Sequence, residues 1–348
     1  MSDLTVALAI VGGVALAGVL AHGAWQARRA GPRRAVQAPT AERAQQIEPG
    51  LTDADAGAAD ASAEPSLPRS APRRQSARLD ALIDAIATLE SESALSGALV
   101  LAHLPPTRRV GSKPFIVEGL AADSGEWDAI SEHGSYSALQ AGVLLANRTG
   151  ALNEIEYSDF AQRVQTIADA VGAMPDLPDM LDVVARAREL DAFASAHDAQ
   201  LALHLRANGA AWSVGYLQQQ AARHGFVNAP VPGRMLLPGA DEGGPPVLVL
   251  SFDAQAALAE QSELAALRDL TLTFDVAQTP ASQQPFAAWK SSAMALAADL
   301  DATLVDDNGR ALGEEAFASI GAELERLYAA LAERDLAAGS PAARRLFS

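Results

Sequence analysis

The spacing of apolar residues changes character several times along the chain. From Leu4 to Ala24 it is apolar without periodicity and without a formally charged residue, LTVALAIVGGVALAGVLAHGA. About 20 such residues, rising 1.5 Å each as a helix, cover a hydrocarbon core of roughly 30 Å. Between about 28 and 77 periodicity vanishes, and Pro32, Pro39, Pro49, Pro65, Pro68 and Pro72 punctuate a run of Ala, Glu, Asp, Gln, Ser and Arg. Such a run buries too little surface to offset its chain entropy and reads as a disordered linker, with a mean reach of about 40 Å. Leu79, Leu82, Ile83, Ile86 and Leu89 then recur at helical spacing and predict a short amphipathic helix. Strand-like runs follow at 98–103, 114–119 and 140–147. Phe160, Val164, Ile167 and Val171 mark a helix closed by Gly172 and Pro175, and a further helix over 178–196 carries Leu181, Val184, Ala185 and Leu190 inward.

In the second half, Leu201, Leu203 and Leu205 alternate with Ala202 and His204, as on a strand with one buried face. A helix over 211–224 stops at Gly225. Strands are expected at 234–237, 246–252 and 270–276, then a helix over 285–300, a strand at 302–305 and a tight turn at Asp307-Asn308-Gly309. A last helix carries Phe317, Ile320, Leu324, Leu327, Tyr328 and Leu331 on one stripe. This order predicts an α+β fold: an antiparallel sheet with helices packed on one face, the other face left free, and an additional α/β lobe. The implied organisation is a transmembrane anchor (1–27), a Pro/Ala-rich linker (28–77), an additional lobe (78–197), a C-terminal domain (198–335) and a flexible tail (336–348). A weak internal echo relates the strand from Ala141 and the helix with Phe160-Ala161 to the strand from Leu270 and the helix with Phe286-Ala287. Duplication and ordinary α+β patterning explain it equally.

Charge gives the apolar run an orientation. No Lys or Arg precedes it, while Trp25 and then Arg28, Arg29, Arg33 and Arg34 follow. Arginines beside a span mark the cytoplasmic side, so the short N-terminus is expected in the periplasm and the rest in the cytoplasm. A cleaved signal peptide needs the opposite charge order. The chain of 348 residues has formal net charge −17 and no cysteine. The acidic balance argues against duplex nucleic acid as a partner, and the lack of Cys removes disulfides and thiolate chemistry.

Chemistry-bearing motifs are scarce. His22, His103, His133, His197, His204 and His224 form no compact ligand spacing, and neither a GxSxG elbow nor a phosphate loop occurs. Asp306-Asp307-Asn308-Gly309 lacks the later acidic ligand of a calcium loop, and Glu314 and Glu315 read as charges at a helix start. No cofactor, metal site or catalytic residue is expected, and the chain is read as a non-enzyme.

Two regions carry a resemblance to a known family. The first is Asp3-Leu4, Ile10-Val11-Gly12 and Leu20-Ala21-His22-Gly23-Ala24-Trp25 with the following arginines. The second runs from about 199 to 331, with Gly225-Phe226, Gly233-Arg234-Met235 and Val305-Asp306-Asp307 matching best. Together they resemble the ZipA family of bacterial cell-division proteins, which tie the tubulin-like protein FtsZ to the inner membrane at the septum. The resemblance implies that the exposed sheet face of the C-terminal domain forms a shallow apolar groove for the C-terminal peptide of FtsZ. Strand parity combined with the family pattern nominates Ala202, Met235, Leu237, Phe252, Ala254, Thr271 and Thr273 as groove residues. Residues from about 95 to 190 depart from the family pattern, and the sequence leaves open a second binding lobe, a spacer or an extension of the same sheet. The alternative function is a membrane-tethered enzyme or small-molecule sensor whose pocket the additional lobe forms.

Overall fold

The computed structural model describes residues 78–240, 244–258 and 266–348. The expected anchor from Leu4 to Ala24 and the Pro-rich linker lie outside the described residues. Among those described, no helix is long and apolar enough to cross a membrane. The fold is α+β, and every strand pair described is antiparallel.

The first sheet opens with β1 (Asp84–Ser96), followed by α1 (Gly97–His103). Both reverse the sequence expectation of a helix from Leu79 and a strand at 98–103. Ile83, Ala85, Ala87 and Leu89 are all fully buried, a period of two. Alanines at two of those positions mute the alternation that marks a strand. Ser96 then caps α1 by accepting from the Leu99 N–H at 3.2 Å, which starts a helix despite its β-like composition.

Next come β2 (Arg109–Val110), β3 (Lys113–Ala121), β4 (Trp127–Ala129), β5 (Ser135–Leu144) and the short pair β6 (Ala146–Asn147) and β7 (Gly150–Ala151). α2 (Glu154–Val171) begins with a capping box between Asn153 and Glu156 and ends at Gly172, whose φ of 72° is the left-handed cap a glycine adopts at little cost. β8 (Met174–Asp176) and α3 (Met180–His197) complete the lobe. In α3 the buried face is Val183, Val184, Ala187 and Leu190; Leu181 and Ala185, expected inward, are exposed. Asp179 caps this helix, fixing its start two residues later than the Pro-based expectation and turning Leu181 outward.

The second sheet is built from β9 (Gln200–Ala207), α4 (Val214–Arg223), β10 (Val227–Asn228), β11 (Arg234–Leu237), β12 (Leu248–Ser251), the short α5 (Ala254–Leu258), β13 (Asp269–Asp275), α6 (Pro285–Leu300), β14 (Ala302–Val305) and α7 (Glu314–Glu333). Its core face is closed by α6. Trp289 there is 1 % exposed, donates its indole N–H to Leu272 O at 3.0 Å and meets the rings of Phe274 and Phe317 edge-on.

The lobes are two copies of one plan. Strand order in the first is β2-β3-β5-β1-β8, with β4 added beside β3, and in the second β10-β11-β12-β13-β9-β14. Matching β3, β5, β1 and β8 to β12, β13, β9 and β14 reproduces connectivity and register together. The pair Leu89–Leu139 stands where Leu205–Leu270 stands, Ala87–Ala141 where Leu203–Leu272 does, and Thr88–Asp176 where His204–Val305 does. Helix follows helix in the same way: the buried Phe160, Val164, Ile167 and Val171 of α2 correspond at one constant offset to Trp289, Ala293, Leu296 and Leu300 of α6. Both helices end in a left-handed residue, Gly172 and Asp301. The fold is therefore repeated, but in neither element as the sequence echo aligns it: Ala141 matches Leu272, not Leu270, and Phe160 matches Trp289, not Phe286. The first lobe is antiparallel like the second, not α/β.

Residues 336–348, expected as a flexible tail, are packed. α8 (Pro341–Leu346) starts on the Ser340 cap, and Leu336, Ala343, Leu346 and Phe347 are at most 1 % exposed within the first lobe's core. Arg345 forks onto Asp84 of β1 at 2.6 and 2.7 Å. Gln278, just past β13, donates to Phe347 O at 2.7 Å, and Gly339 N–H donates to Ala277 O at 2.8 Å, so the tail stitches the two lobes together. Arg148 adds to this joint by bridging Asp198 and Asp275 at 2.6 and 2.7 Å.

Candidate functional site

The candidate site is the face of the second sheet opposite α6. Directly paired residues on antiparallel strands share a face, so register fixes its composition. One cross-strand row reads Val227, Leu236, Val249, Thr273, Ala202. Four spacings of about 4.8 Å make it a stripe roughly 20 Å long. Val227 is 51 % exposed, and the other four are half-buried. The next row, Arg234, Ser251, Thr271, His204, is polar; His204 bonds Thr271 Oγ1 at 3.1 Å and Asp307 at 2.8 Å. On the other side Gln200 donates to Asp275 at 3.2 Å. An apolar band thus lies between polar margins, with the exposed Arg234 at the β11 end of one of them.

Three of the seven residues nominated from sequence, Ala202, Thr271 and Thr273, lie on this face. Met235 does not: it pairs with Leu250 and Leu250 with Leu272, a row that faces α6, and it is 2 % exposed. Leu237 pairs with the buried Leu248 and belongs to the same core face. Phe252, just past β12, packs against the same core. Ala254 is exposed at the start of α5 and belongs to no strand. The error is one of parity. A single-residue step in β11 turns every side chain over, and the facing of Met235 is set by its pairing with Leu250 of the strongly apolar β12, which neither strand parity within β11 nor the family pattern records. The residues missed, Val227, Leu236 and Val249, carried a signal: Leu248 and Leu250 flank Val249, and two leucines on one strand facing a core place the residue between them outside.

A second concentration of polar groups lines a cavity of about 240 Å³ bounded by Asn147, Arg148, Thr149, Asp191, Asp198 and Phe347. Beside it the fully buried Lys113 donates to Ser112 Oγ, Asn147 Oδ1 and Thr149 Oγ1 at 2.8, 2.9 and 3.3 Å. Burial pushes the ammonium below its usual pKa, against the pull of Glu156. Lys113 is thus tied to Asn147 and Thr149, and Arg148 to Asp198. Among the described residues no His, Cys, Asp or Glu cluster could hold a metal ion. His103, His197 and His224 sit at helix ends, where they bond the Leu99 carbonyl, the Phe193 carbonyl and Asp299.

Compared with known proteins, the chain matches no family model and no curated protein.

Proposed function

We propose that this chain is a membrane anchor and stabiliser of FtsZ at the division septum, acting by binding alone. Its N-terminal span would hold it in the bacterial inner membrane, N-terminus in the periplasm. Its cytoplasmic part would receive the C-terminal peptide of FtsZ on the second sheet. The observation that carries the reading is the stripe Val227, Leu236, Val249, Thr273, Ala202, an apolar band on a sheet face turned away from the helices. Such a band suits the apolar side of a short amphipathic segment, and Arg234 at its margin suits an acidic one. Confinement to a surface raises local concentration, so a weak groove acts collectively on a polymer that presents many peptides.

The test is titration of the full chain with a synthetic peptide of the FtsZ C-terminus. Val249→Glu and Ala202→Glu each place an unpaired acid under the bound peptide and should weaken binding by about tenfold or more. Leu236→Glu acts in the same direction. Met235→Glu buries its charge in the core instead, and should lower the melting temperature. Absence of binding, or equal binding after Val249→Glu and Ala202→Glu, overturns the assignment. The alternative, a tethered enzyme or small-molecule sensor, rests on the Arg148 cavity. Its main polar groups, Arg148 with Asp198 and Lys113 with Asn147 and Thr149, are already paired, which favours an architectural role.

A further inference from the structure

The repeat supplies an internal comparison for the groove. In the first lobe the row equivalent to Val249–Thr273–Ala202 is Ile116–Gly142–Ile86, again on the face away from the core helix. That row is not empty. Leu79 lies over Gly142 so closely that a methyl group built on the glycine would collide with its side chain. The segment is held from several directions. Leu79 N–H donates to Oε1 of the buried Glu118 at 3.1 Å, and Gln140 donates to the other carboxylate oxygen at 2.9 Å. Arg345 donates to Arg78 O at 2.9 Å while gripping Asp84, and Arg186 donates to Ala81 O at 2.7 Å. Where the first lobe has Glu118 and Gln140, the second has Ser251 and Thr271, which offer no carboxylate to a backbone N–H.

From this we infer that the first lobe carries a second peptide groove of the same type, occupied in cis by the chain's own segment around Leu79. Gly142 is the seat for the leucine side chain and Glu118 the acceptor for its backbone. The inference takes the second lobe's face to be a groove, as proposed above, but concerns a different face and a different occupant. Segment 78–82 directly continues the stretch leading from the N-terminus, so whatever displaces it would open a second apolar face on the same molecule.

The absence of cysteine makes the test direct. Ile116→Cys in the full chain places a single thiol beside the seat, and its alkylation by a maleimide reports access. Combining it with Leu79→Gly should raise the rate about tenfold, the factor corresponding to the contact of one partly buried leucine. Adding a synthetic peptide of residues 72–82 should slow it again. A thiol at Val249 in the second lobe should react at one rate whether or not Leu79 is present. Equal rates at Ile116→Cys with and without Leu79 overturn the cis occupant. A rate that rises and is not slowed by the peptide overturns the groove. If Leu79→Gly does not fold, Leu79→Ala replaces it, with a smaller rise expected and the same rate left unchanged by Leu79→Ala counting against the inference. FtsZ takes no part, so failure here and failure of the septal reading are told apart.

Discussion

Asp84 shows how much one residue can depend on a distant part of the chain. It is 1 % exposed, and burial pushes its carboxyl above the usual 3.8 while Arg345 pulls it back. Removing one member of a buried pair costs about 3–5 kcal/mol, because the other charge is left in a poor solvent. Arg345→Gln is expected to have that effect near neutral pH. The sign with pH follows from proton binding. A folded carboxyl with a raised pKa holds its proton more tightly than the unfolded chain does, so stability falls as pH rises from 3.8 through the folded value. The variant should therefore regain stability on acidification into that window. Denaturant melts of wild type and Arg345→Gln across pH check this, and a deficit that does not shrink on acidification contradicts it. Legibility at this scale was uneven. Ala202, Thr271 and Thr273 followed from alternation, whereas Met235 and Leu237 did not, because a four-residue strand carries too little pattern to fix its own parity.

At the scale of elements, the long helices and most strands of the second lobe were readable. α6 begins at Pro285 and ends at Leu300, and β14 and β11 fall at the expected residues. Pro285 at the first helical position and a wide spread of side-chain size make such boundaries explicit. β1 and α1 were exchanged, because Ala-rich segments blur both periods. The repeat allows a paired test of helix termination. Gly172 and Asp301 occupy equivalent left-handed caps with φ of 72° and 48°. A side chain in that conformation costs about 1–2 kcal/mol, so Gly172→Ala should lower stability by about that amount. Asp301→Gly should relieve the same strain while losing an exposed contact with Asn208 at 3.1 Å, leaving stability within about 0.5 kcal/mol or raising it. Thermal melts of the two variants decide whether the caps are equivalent in energy as well as in place.

For the whole molecule, the C-terminal segment matters most to cohesion. Phe347 is 1 % exposed in the first lobe's core although it follows the second lobe in sequence, and its carbonyl accepts from Gln278 beside the second sheet. Phe347→Ala should cost about 3–5 kcal/mol and expose the joint between the lobes, read as faster amide exchange in Gln278 and in β1. Exchange confined to the last few residues would show that the tail is not structural. The same segment, through Arg345 and the Arg78 carbonyl, helps hold Leu79 over Gly142, so the cis-occupied face and the tail form one connected assembly.

The α+β class, the helices α2 and α6, the alternation of β9 and a charge-free apolar run ahead of a Pro-rich stretch are all legible in the order of residues alone. All of these are local patterns, recorded within a few turns or strand pairs. The facing of β11, the repetition of one lobe's plan in the other and the burial of the last residues emerge only once the chain is folded. Each of these depends on pairing between segments far apart in the chain. Register across a sheet and the burial of Leu346 and Phe347 are set by partners that no local spacing names.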